Sequence, residues 1–125
     1  MHLPGFIYIN NLTKKLDAPA RVQYSDSFFT KLRGLMFRPR LETDFGLLLV
    51  EKQDSRLNTS IHMFFVSFDL AVFWINSEMT VVDKVLAKSW KPAYFPKADA
   101  QYTLEIHPSR FEDYEIGDKV EFKDA

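Results

Sequence analysis

Residues 100–107 alternate without a break. Ala100, Tyr102, Leu104 and Ile106 are apolar, and Gln101, Thr103, Glu105 and His107 between them are polar. Side chains on an extended chain point to opposite faces in turn, so this pattern describes a strand with one buried and one wet face. The same period recurs at Val120 and Phe122 between Lys119, Glu121 and Lys123, and in shorter form at Ile7 and Ile9 and over 21–24. The Gly46-Leu47-Leu48-Leu49-Val50 run is apolar throughout, which suits a strand covered on both faces. The segments 69–76 and 79–86 are rich in β-branched and aromatic residues and flank the turn residues Asn76-Ser77-Glu78, so they read as a hairpin. Thr59 to Val66 is expected to be a further strand. Seven or eight strands at this spacing predict a mainly β protein: an antiparallel sandwich or jelly-roll, or a distorted barrel.

One segment follows a different period. Ser25-Asp26-Ser27 offers side-chain acceptors for a helix N-terminus, Phe28, Phe29, Leu32, Leu35 and Met36 follow at helical spacing, and Gly34 suits the exit. A short helix is predicted over about 26–33. Pro39 biases Arg38 towards extended backbone, a weak helical turn is expected after Pro108, and Ile116-Gly117-Asp118 reads as a turn into the last strand. Residues 52–58 and 88–98 read as loops. The second carries Trp90, Tyr94 and Phe95, either covering the core edge or forming a binding lip.

With 125 residues, the chain reads as a single β domain over 1–125. The 16 basic and 17 acidic residues leave a net charge of −1, so no basic excess points to nucleic acid. There is no cysteine, which removes thiol chemistry and cysteine-based zinc sites. No run approaches the roughly 20 apolar residues that span a bilayer, and the N-terminus does not resemble a signal peptide. The expectations are a cytoplasmic protein with no membrane or nucleic-acid partner, no cofactor and no metal, and an open oligomeric state.

Four positions stand out for chemistry. His62, placed on an alternating strand, shares a face with Ser60, Phe64 and Val66; it is either a hydrogen-bonded core histidine or a ligand donor and proton carrier. Asp69 sits in the apolar Val66–Val72 stretch, where it braces a strand corner, pairs with an arginine or acts as a general base. Arg33 and Arg38 are the candidate partners, each with a planar fork suited to a carboxylate or an anionic ligand. Trp90 and Tyr94 supply an aromatic wall.

These same residues carry a family resemblance. The 31–38 stretch (KLRGLMFR) resembles the R-x-x-G-L-M-x-R-type signature of the prokaryotic family known as domain of unknown function 192. The block 61–72 (IHMFFVSFDLAV) is similar to its second motif, with Ser67 in the place of the usual proline and Met63-Phe64 where many members carry an Asn-Thr pair. Trp90-Lys91-Pro92 with Tyr94, then Leu104-Glu105-Ile106 and Gly117-Asp118-Lys119-Val120, continue the match. The resemblance implies a compact, mostly β fold of sandwich or jelly-roll type, and it brings no catalytic residues with it. Arg33, Gly34, His62 and Asp69 are its motif positions.

The resulting expectation is a binding module for a small polar or anionic ligand or a partner segment, built from Arg33, Arg38, His62, Asp69, Trp90 and Tyr94. One alternative is a hydrolase-like enzyme using a His62/Asp69 pair, and another is a structural or chaperone-like interaction protein.

Overall fold

The computed structural model describes residues 5–26, 35, 40–43, 45–91 and 93–125. Seven strands form one sheet: β1 (Phe6–Asn11), β2 (Ala20–Ser25), β3 (Gly46–Ser55), β4 (Leu70–Ile75), β5 (Val81–Ala87), β6 (Ala100–Ile106) and β7 (Val120–Asp124). Their spatial order is β5-β4-β6-β3-β2-β1-β7. All neighbours are antiparallel except β2 and β3, which run parallel with Gln23 opposite Leu47 and Ser25 opposite Leu49. A parallel pair requires a crossover connection, and the 26–45 stretch joins these two strands. The helix expected over 26–33 lies outside the described residues.

The sheet curls into a half-barrel, so the distorted-barrel alternative describes it best. Its edges come together at one corner. There, Val81 N donates to Asp118 O at 2.9 Å, Gly117 N to Val81 O at 2.8 Å and Val120 N to Met79 O at 2.9 Å. Period-two alternation then separates an inner from an outer face. Ile7, Ile9, Val22, Leu48, Phe73 and Leu104 belong to the inner core. Leu47, Leu70, Val72 and Trp74 point the other way, into an outer core that also holds Leu35, Ile61, Met63 and Val66. Because both faces of β3 and β4 are covered, the Leu47–Val50 and Leu70–Ile75 runs are apolar throughout. Among the described residues, no helix is long and apolar enough to cross a membrane.

The connection between β6 and β7 plugs the curl. A 3-10 turn at Pro108–Arg110 leads Phe111 and Tyr114 onto Phe73, with ring centroids at 6.2 and 5.3 Å. Lys84 on the edge strand β5 fastens the plug: its Nζ donates to Phe111 O at 2.9 Å and pairs with Glu115 at 2.9 Å. The hydrogen bond from Lys84 holds the Glu115 carboxyl below its ordinary value.

Gly46 sits where β2, β3 and β6 press closest. A Cβ there would lie 2.6 Å from Ile106 Cγ2, 2.8 Å from the Glu105 carbonyl oxygen and 3.0 Å from Val22 Cγ1. A carbonyl in a sheet ladder cannot move aside, so Gly46→Ala is expected to cost about 1–3 kcal/mol. The urea midpoint checks this, and an unchanged midpoint would show that the strands can part at no cost.

The strand expected over Thr59–Val66 does not form. Ile61 makes an isolated bridge to Tyr94, after which the chain turns, with Val66 N donating to Met63 O at 3.2 Å. Phe65 has φ 61°, a left-handed conformation that no extended strand accommodates.

Candidate active surface at the paired loops

Two loops leave the same end of the hairpin and bind each other. Ile61 N donates to Tyr94 O at 3.0 Å and Tyr94 N to Ile61 O at 2.8 Å; Met63 N donates to Lys91 O and Trp90 N to Met63 O, both at 2.9 Å. The buried residues Ile61, Met63 and Val66 anchor this pair on the outer core. Hydrogen-bonded backbone on both sides makes the loops a fixed platform.

Asp69 stands at the base of the platform. Its Oδ1 accepts from Ser89 N at 2.9 Å, and its Oδ2 lies 3.5 Å from Lys88 Nζ. The carboxylate thus ties the start of β4 to the loop after β5, the strand-corner role anticipated from its sequence setting. Tyr94 is a second strut. Its hydroxyl accepts from Lys88 N at 2.7 Å, and Lys91 Nζ lies 5.1 Å from its ring centroid.

His62 is exposed, contrary to its expected place on a strand face with Ser60, Phe64 and Val66. The physical reason is the turn: once the strand is broken, Ile61, Met63 and Val66 become the buried set and His62 falls on the other side. Its Nδ1 accepts from Phe64 N at 3.2 Å, which leaves the neutral ring's proton on Nε2. Ser60 Oγ donates to Leu57 O at 2.7 Å. Asp69 is thus engaged with Ser89 and Lys88, and His62 with Phe64. Arg33 and Arg38 lie outside the described residues.

The paired loops also display aromatic residues. Phe64, Phe65 and Trp90 are each between 44% and 54% exposed. Phe65 and Trp90 meet edge to face with centroids 5.1 Å apart, and the His62 ring lies 5.7 Å from Phe64. Both Phe65 (φ 61°) and Trp90 (φ 66°) have left-handed backbone. For a residue with a Cβ that conformation costs roughly 1–2 kcal/mol, and here it holds large apolar rings in water. Sequence reading identified Trp90 and Tyr94 but missed Phe64 and Phe65, because the expected strand assigned Phe64 to a buried face.

Among the described residues, no group of three or more His, Asp or Glu side chains is placed to hold a metal ion.

Comparison with known proteins gives a consistent picture. The family model DUF192, described as an Uncharacterized ACR, matches residues 9–122. A UPF0127 protein of Thermococcus sibiricus is 37% identical over 116 residues, covering 90% of this chain and 73% of that protein. A UPF0127 protein of Pyrococcus horikoshii is 35% identical over 117 residues, covering 91% of this chain and 97% of that one. Among solved structures, a Sinorhizobium meliloti 1021 protein superposes with a TM-score of 0.81 at 16% identity, covering 98% of both chains. A Novosphingobium aromaticivorans protein of unknown function does so with a TM-score of 0.74 at 15% identity, covering 93% of this chain and 83% of that one. At such identities the two structures establish a shared fold.

Proposed function

The chain belongs to the DUF192 family, whose biochemical role is not established, and we propose that it is a binding module whose contact surface is the 61–69 and 88–96 loop pair, taking a small polar ligand or a partner segment. The observation that carries this reading is the left-handed backbone at Phe65 and Trp90, which holds two touching aromatic rings out to solvent. Strain at a core residue is compensated by burial. Strain that exposes apolar rings leaves faces that a bound ligand can cover. Lys88, Asp69 and His62 belong to the same two loops and carry donors and acceptors that can orient a polar group. Arg33 and Arg38, outside the described residues, are the proposed anion-binding residues, and Tyr94 is the strut beneath the platform.

Trp90→Gly separates display from stability. Glycine relieves the left-handed strain, while losing the Phe65 contact and loosening the unfolded chain act the other way. The net change in unfolding free energy is expected to stay within about 1 kcal/mol, unlike the loss of a buried aromatic. The binding test uses inorganic phosphate, adenosine and a pool of random tetrapeptides, read by tryptophan emission. Trp74 is buried, so an emission change reports mainly on Trp90. A saturable change in the native protein, with the accompanying thermal stabilisation weakened at least tenfold in Trp90→Gly, is the expected result. Equal stabilisation of both proteins by the same probe would overturn the reading, as would silence from all three probes.

A further inference from the structure

Glu105 is a carboxylate set against the apolar outer core. It lies in the middle of β6, 5% exposed, and its cross-strand neighbours are Leu47 on β3 and Val72 on β4. Both belong to the outer core, together with Met63 and Val66 of the first loop. Among the described residues, no hydrogen bond or ion pair reaches its side chain. A second polar group on this face, Ser25 Oγ on the strand beyond β3, is buried with no hydrogen-bond partner among the described residues. Buried polar atoms are nearly always satisfied, and an isolated buried carboxylate is among the costliest exceptions. The alternation of β6 needs a polar residue here only if the face is wet, and the outer core keeps it dry. An apolar side chain would therefore be the stabilising choice at position 105.

We propose that Glu105 anchors a cation-binding subsite on the outer face of the sheet, which accepts the hydrogen-bond-donating ammonium or guanidinium group of a small organic cation. A charge of opposite sign whose N–H groups reach the carboxylate removes the desolvation penalty and satisfies its lone pairs together. Leu47 and Val72 supply apolar walls for the carbon attached to the cation. The subsite goes beyond the loop platform and stands on different residues, so each can fail without the other.

The test is a thermal-shift and calorimetric titration of the full chain at pH 8 with n-butylammonium, methylguanidinium and tetramethylammonium. One or both of the first two raise the melting temperature of the native protein in a saturable way, and whichever does so identifies the donor group. Tetramethylammonium, a cation with no N–H donor, gives no saturable shift. Glu105→Gln, which preserves shape, loses at least tenfold in affinity, whereas Trp90→Gly retains it. At pH 6, binding by the native protein releases a proton, visible as a dependence of the binding heat on the buffer's ionisation enthalpy. A merely structural Glu105 produces no such dependence. The proposal is overturned by equal shifts in native and Glu105→Gln protein, by tetramethylammonium binding as well as the others, or by no binding. It is also overturned if Glu105→Gln is less stable than the native protein at pH 8, since the carboxylate would then already be paired within the chain.

Discussion

Glu105→Gln is expected to stabilise the ligand-free protein by about 3 kcal/mol above pH 7 and to leave it nearly unchanged at pH 4.5 and below. Burial pushes the Glu105 carboxyl from its ordinary 4.5 up to about 7. Between those values the folded protein keeps a proton that the unfolded chain has released. The folded state binds more protons there, so stability falls as pH rises through that interval, and the full penalty applies above it. Below 4.5 both states are protonated and the group contributes nothing. Glutamine has the same shape without the titration. Urea unfolding of the two proteins at pH 5, 6.5 and 8 should show curves that separate progressively, with the variant ahead. Parallel curves would mean that the carboxylate is solvated or paired.

Tyr114→Ala is expected to be the most damaging single change on the inner face, costing about 3–5 kcal/mol. The side chain is fully buried and lies edge to face with Phe73. Its hydroxyl donates to Ile9 O at 2.6 Å and accepts from Ala20 N at 3.2 Å. One residue of the plug thus fastens to β1 and β2 at once. Burial raises the phenol to about 12, so the donor persists across the working pH range. Tyr114→Phe keeps the ring and loses only the hydroxyl bonds, about 1 kcal/mol. A melting-temperature drop of roughly 10–20 °C for the alanine variant and a few degrees for the phenylalanine variant is the expected pair. Equal drops would assign the whole effect to the hydroxyl, against the packing argument.

The strands were legible wherever local pattern and tertiary environment agree. β6 alternates because one face meets the inner core, and the hairpin of β4 and β5 carries its own turn at 76–80, where Asn76 Oδ1 accepts from Glu78 N and Thr80 N at 3.0 and 3.1 Å. The 59–66 segment was misread because Ile61, Met63 and Val66 nearly fit a period of two. That near-fit arises from a turn seating three apolar residues on the sheet. Within the candidate surface, Asp69, Trp90 and Tyr94 drew notice as residue types unusual for their setting. Phe65 did not, since nothing in Phe64-Phe65-Val66 signals positive φ. Glu105 read as an ordinary wet-face residue, because alternation shows that two faces exist and not what covers the second.

Sequence by itself determined the strand composition, the hairpin turn and the apolar set of the inner face, all of which follow from side-chain direction along an extended backbone. Only the tertiary structure decided that the dry outer face extends across β6 to Glu105, that His62 faces water and that two loop aromatics are held in strained display. Each of these depends on which distant segment packs where, and packing between segments far apart in the chain leaves no mark on local periodicity.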